Sequence, residues 1–138
     1  MSNRKLGTSF EQEFAQEMFD NGFWVHLLTQ NSAGQPADVI AVMNQKAYLI
    51  DCKVCSNNRF PLTRVEANQH CAMHLWQMIG NGDAMFALKM SDDVYMIPYS
   101  LIRKETLNCK STLTAHYIRE NGISFHDWIE KEVDKCKS

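Results

Sequence analysis

Asp51 and Lys53 stand two residues apart inside YLIDCKV (residues 48–54), a run otherwise apolar and rich in large side chains. Side chains alternate along a strand, so Leu49, Asp51 and Lys53 share one face while Tyr48, Ile50, Cys52 and Val54 share the other. A carboxylate and an ammonium in a central strand cost several kcal/mol to desolvate unless they are paired or bound to something. A structural ion pair or an edge strand explains D-x-K about as well as chemistry does, because the tripeptide is common. The preceding run changes that balance. QPADVIA puts Asp38 at a strand start with Ile40 and Val42 on its face. If the two strands form a hairpin, Asp38 lies near the far end of the strand that carries Asp51. Carboxylates brought together repel unless a cation sits between them. Hard oxygen ligands of this kind suit Mg²⁺ or Mn²⁺, which takes a few carboxylates and keeps several waters.

A third acid adds to the pair. Phe10, Phe14, Ala15, Met18 and Phe19 cover one arc of the first expected helix, and Glu11 falls in its middle, where a carboxylate is out of place. Glu11 either folds back to close a capping box with Thr8 or points over the sheet towards the acids. Gln69 shows the same oddity beside the stripe Val65, Ala72 and Trp76. It is either a boundary residue or a polar group aimed at the site.

The elements that must position these groups read as α/β. TSFEQEFAQEMFDNG is a helix from a Thr8 cap to a stop at Gly22. FWVHLLTQ is a strand, NSAGQP a loop, and ADVIAVM and KAYLIDCKV two strands around an Asn44-Gln45 turn. A second helix is expected from Thr63, boxed with Glu66, to about Ile79. AMFALKM and VYMIPY pair around Ser91-Asp92. SFHDWIEKEVDKCK forms a last helix with Ser124 and Asp127 as its box. The domain reading is one unit over residues 1–138, with a core of about 4–100 and a helical extension of about 101–138.

Composition sets limits on partners. The 138 residues are 45% hydrophobic with a formal charge of −2, enough for one globular core but without the cationic excess common in nucleic-acid binders. Any such binding needs a local patch or two subunits combining theirs. Five cysteines without framework spacing fit a reducing compartment, and MSNRKLGTSF lacks an apolar signal segment. The expectation is a cytoplasmic protein that does not engage a membrane. Three other signals read as ordinary structure. Cys52 and Cys55 make a C-x-x-C without a second pair, His70 and His74 fall on a polar helix side where solvent exposure is expected, and FWVHLL reads as strand core.

P-A-D38, twelve residues, then D51-C-K53 resembles the PD-(D/E)xK nuclease signature. The context extends the likeness: G7-T-S-F-E11, the serine-bearing loop before Asp38, the FPL segment, and the glutamine on the helix after it. Together these resemble the Holliday junction resolvases of the Hjc and RecU types. The resemblance implies a restriction-endonuclease-like core, with a central mixed sheet of about five strands flanked by helices. It implies a metal-dependent DNA endonuclease, most readily a homodimeric junction resolvase. The alternatives are cleavage of duplex, flap or damaged ends, or a non-cleaving DNA-binding protein of the same fold. Asp38, Asp51 and Glu11 would hold Mg²⁺ or Mn²⁺, Lys53 would orient the attacking water, and Gln69 and Ser32 would assist. Arg4, Lys5, Arg59 and Arg64 would grip the DNA backbone. Asp51 stands where glutamate is usual, which shortens the reach to a metal. The chain also lacks a counterpart of the basic RecU stalk.

Overall fold

The structure, a computed structural model, describes residues 3–28, 34–80 and 82–137, with side chains from Ser9 to Lys135 in those ranges. Helix α1 spans Asn3–Asp20 and is followed by β1 (Trp24–Leu27), β2 (Val39–Met43) and β3 (Lys46–Val54). Strand β4 (Arg59–Pro61) and a 3-10 turn (Leu62–Arg64) lead to α2 (Ala67–Met78). The chain continues through β5 (Ala84–Met90), β6 (Asp93–Pro98), α3 (Tyr99–Leu107), β7 (Thr112–Thr114), α4 (Ala115–Asn121), β8 (Ile123–Ser124) and α5 (Phe125–Lys137). The main sheet has the order β1-β2-β3-β5-β6-β8, with β4 and β7 forming a small second sheet. Strands β3 and β5 run parallel and the other pairs of the main sheet antiparallel. This is the expected α/β architecture with a mixed central sheet.

The hairpin that brings the two acids together is set by its turn. Asn44 and Gln45 both take positive φ, 53° and 65°, the type I′ geometry whose twist matches the flanking strands. Met43 pairs with Lys46, and the register runs unbroken to Val39 opposite Ile50. Beyond that pair the Asp38 N–H donates to the Ile50 carbonyl at 3.1 Å. Asp38 therefore stands just past the end of the paired register, on the strand next to Asp51, with the hairpin turn between the two acids in sequence.

Alternation on β3 divides the apolar residues between two cores. Tyr48, Ile50 and Cys52 join Phe10, Phe14 and Met18 of α1 and Phe125, Trp128 and Ile129 of α5 on one face. Leu49 and Cys55 join Phe60, Met73 of α2, Phe86, Leu88 and Ile102 on the other. Cys52 and Cys55 thus belong to opposite faces, and both are free thiols. Helix α1 stops as expected. Gly22, at φ 96°, allows the Phe23 N–H to reach Met18 O and its own N–H to reach Phe19 O, the Schellman pattern.

Four expectations need correction. Helix α1 begins at Asn3, so Thr8 lies inside it and is not a cap. Helix α2 begins at Ala67 with Glu66 as N-cap; residues 62–64 form a 3-10 turn instead. Strand β1 covers four residues of the predicted eight and is an edge strand, with Trp24 60% exposed and stacked against His26. His70 is half-buried and its Nδ1 lies 2.8 Å from the Tyr99 hydroxyl, so only His74 of that pair faces solvent. The last helix matches, and its N-cap Ser124 accepts from the Asp127 N–H at 3.2 Å.

The residues after 101 contribute to both cores. Strand β8 extends the main sheet through Tyr95 and Met96, and β7 pairs with β4. Phe125 stacks on Phe14 with ring centroids 4.4 Å apart, while Trp128 stacks on Phe23 and meets the edge of Tyr48. Burying these aromatic rings is the main force holding α5 against α1. We therefore expect Trp128→Ala to lose about 3–5 kcal/mol of stability, the usual cost of emptying an aromatic core position. Urea denaturation followed by circular dichroism measures this, and a chain ending at Pro98 should not fold cooperatively.

Candidate active site

Asp38, Asp51 and Lys53 are brought together at one end of the β2–β3 hairpin, in a cleft of about 660 Å³ also lined by Glu11, Gln69, Arg59 and Arg64. Asp38 is buried, and each of its oxygens receives one donor. The Gln35 side chain donates through Nε2 to Oδ1 at 2.7 Å. The Cys52 backbone N–H donates to Oδ2 at 2.8 Å, so Asp38 substitutes for a strand carbonyl at the next rung of the ladder. Leu28 of the preceding segment donates its N–H to the Asp38 carbonyl at 2.8 Å. Backbone and side chain are both fixed before any ligand arrives.

Asp51 is 2% exposed. Lys53 Nζ lies 3.1 Å from its buried Oδ2 and forms an ion pair with it. The sequence expectation that Asp51 and Lys53 share a face is met. Burial pushes the Asp51 carboxyl up to about 8, with the Asp38 charge adding to the rise and Lys53 opposing it. Burial likewise lifts Glu11 to about 7, again with Asp38 as the main electrostatic partner. Asp38 is thus the centre of the group, with Glu11 approaching from α1 and Asp51 from β3.

These donors suit a small hard cation. They belong to acids whose ionised forms are desolvated by burial and repel one another. Each is a feature that a bound divalent ion removes. A different trio, His126, Asp127 and Glu130 on α5, has ligand atoms within 4.8 Å of one another but is fully exposed, as clustered surface acids commonly are.

Gln69 is buried, and its Oε1 accepts the Glu66 N–H at 3.2 Å. Its nitrogen is the end left for the cleft. Arg59 is exposed on β4. Arg64 donates to the Val54 carbonyl at 2.7 Å and packs over the Phe60 ring, so it is held in place at the cleft wall. Arg4 and Lys5 fall in the first turns of α1, where side chains are not described, and Ser32 lies outside the described residues. Gln35 and the Cys52 N–H were missed from sequence. The only signal for Gln35 was an amide three residues before an acid.

A mixed sheet with acids on adjacent strands and a lysine two residues beyond the second is the arrangement of the PD-(D/E)xK nucleases. Family comparison narrows this further. Residues 1–136 match the family model of the archaeal Holliday junction resolvases (Hjc), and the chain belongs to that family. Membership makes it a Holliday junction resolvase, and so a nuclease. A solved structure of Archaeoglobus fulgidus Hjc, a resolvase from an archaeal hyperthermophile, superposes with a TM-score of 0.67 at 15% identity. It covers 91% of this chain and 98% of its own, and at that identity it speaks for the fold. A comparison with curated proteins finds no match. No helix among the described residues is long and apolar enough to cross a membrane.

The raised acids make a pH prediction. In the unfolded chain Glu11 and Asp51 titrate near 4.5 and 3.8, against about 7 and 8 when folded. Between those limits the folded state holds protons that the unfolded state has released, so stability falls as pH rises. The metal-free protein should therefore melt at a lower temperature at pH 8 than at pH 5. Asp51→Asn should flatten that dependence and melt above the parent at pH 8. Thermal melts in EDTA across the pH range check both.

Proposed function

We propose that the chain cleaves four-way DNA junctions as a homodimer that depends on Mg²⁺ or Mn²⁺, with Asp38, Asp51 and Glu11 as the metal-binding carboxylates. The observation that carries this reading is the buried pair Asp38 and Asp51 with Lys53 beside it, at the wall of a cleft bordered by arginines. A divalent ion held there would polarise the scissile phosphate and lower the pKa of the attacking water. Lys53 orients that water and offsets charge that builds on the phosphorus oxygens. Gln69, whose oxygen is engaged in the α2 cap, donates through its nitrogen and so favours a phosphate oxygen over a water proton. Arg59 and Arg64 take the DNA backbone, with Arg4, Lys5 and Ser32 as the further contacts expected from sequence. Residues 1–138 are read as one catalytic unit.

The dimer follows from the substrate. Symmetric incision of a four-way junction requires two sites related by a two-fold axis. A subunit of net charge −2 has little long-range attraction for DNA, so affinity needs two subunits presenting their basic residues along one surface. Binding should then fall steeply with salt, because each neutralised phosphate releases counterion.

Asp38→Asn and Asp51→Asn should each reduce cleavage of a synthetic junction by more than about 100-fold, beyond the cost of losing a group that merely supports a metal ligand. Both should retain DNA binding in gel-shift assays, since phosphate contacts come from other side chains. Lys53→Ala should cost about 100- to 1000-fold in rate, the range for one charge-stabilising group, with metal affinity little changed. On a cruciform plasmid, paired nicks within one complex give linear product. Only nicked circles, from a protein that sediments as a monomer, would rule out the paired mechanism, and full activity in either Asp variant would overturn the assignment of the acids.

A further inference from the structure

Gln35 is buried, at 8% exposure, in the segment that leads into β2. Among the described residues its amide makes one hydrogen bond, Nε2 to Asp38 Oδ1 at 2.7 Å, and its buried Oε1 has no partner. A half-satisfied buried amide costs stability, so packing alone does not account for a glutamine here; a leucine or methionine would fill the space without that orphan but would strip Asp38 Oδ1 of its donor. An ionised carboxylate only accepts hydrogen bonds, which fixes the amide with its nitrogen towards Asp38. The main chain of Gln35 is held in turn. Asn68 of α2 donates through Nδ2 to the Gln35 carbonyl at 3.3 Å. The preceding Gly34 sits at φ 79°, and a Cβ there would meet Asn68 Nδ2 at 3.3 Å. The start of α2 thus holds Gln35, and Gln35 holds Asp38.

We infer that Gln35 is a positioning residue for the metal site: it fixes the Asp38 carboxylate against rotation by occupying the oxygen that the Cys52 N–H does not reach. With one donor on each oxygen, the Asp38 lone pairs left over point in a defined direction, and a cation meets a carboxylate already oriented. Without Gln35 the carboxylate keeps the Cys52 N–H on Oδ2 but loses the amide that holds Oδ1, and its orientation is less defined. The inference rests on the reading of Asp38 as a metal-binding carboxylate.

The test is a titration of the intact protein with Mn²⁺, followed by electron paramagnetic resonance and by calorimetry. Gln35→Met keeps the length and removes both the donor and the orphan. It should weaken Mn²⁺ binding about tenfold or more, the usual cost of losing the group behind a ligand, while its melting temperature in EDTA stays at or near that of the parent. Asn68→Ala releases only the Gln35 main chain and should weaken binding in the same direction by a smaller factor. It keeps the test open should Gln35→Met fold poorly. Asp38→Asn is the reference. If Asp38→Asn loses Mn²⁺ while the folded Gln35 and Asn68 variants bind like the parent, the positioning role is wrong and the site reading stands. If Asp38→Asn binds Mn²⁺ unchanged, the site reading itself fails.

Discussion

One hydrogen bond ties the chemistry to the fold: the Cys52 N–H donating to Asp38 Oδ2. It belongs to the β2–β3 ladder and to the acid cluster at once. The register of that ladder is fixed by the two-residue turn at Asn44-Gln45, where both residues accept positive φ. Slipping the pairing by one residue would turn Asp51 and Lys53 to the opposite face and take Asp38 away from the Cys52 N–H. The same slip would push Tyr48 and Ile50 out of the α1–α5 core. Burial of those two side chains therefore holds the acids together more firmly than any contact between the acids, which repel.

That repulsion is the cost of the arrangement. Asp51 is buried, Lys53 offsets only part of its charge, and Glu11 lies against Asp38. The fold tolerates this because it is supported on both sides of the sheet. Aromatic rings of α1 and α5 pack on one face, and α2 and α3 cover the other. The C-terminal residues thereby bear on the site without touching it. Trp128 packs against Phe23 and Tyr48, and Tyr48 precedes Asp51 on the same strand. A core of this kind lets a destabilised cluster persist at one end of the sheet, as functional sites commonly require.

What could be read from the sequence was whatever depended on local pattern. The hairpin, its turn and the shared face of Asp51 and Lys53 follow from alternation and turn chemistry, and so does the stop at Gly22. Alternation could not show that β1 is an edge, because exposure of Trp24 depends on where the sheet ends. Strands β7 and β8, three and two residues long, are too short to carry a period. They exist because β4 and β6 offer partners. Gln35 was illegible for a similar reason, since its contacts come from Asn68 thirty-three residues away and from an acid placed by the hairpin.

The two residues whose sequence signals conflicted, Glu11 and Gln69, resolve in different ways. Glu11 looked like the closing acid of a capping box, yet α1 starts five residues before Thr8 and leaves that box without a helix end to close. Its carboxyl is governed by burial and by Asp38. Gln69 does cap a helix, though with Glu66 and not as part of the box expected from Thr63. For Gln69 the structural reading is the capping bond to Glu66. An amide side chain can present either end to a cleft, and its orientation is decided by the network around it. Because the Glu66 N–H requires an acceptor, Oε1 is committed to the cap and Nε2 is the end not used by it. The cap that starts α2 thereby fixes which end of the Gln69 amide is left over beside the acids.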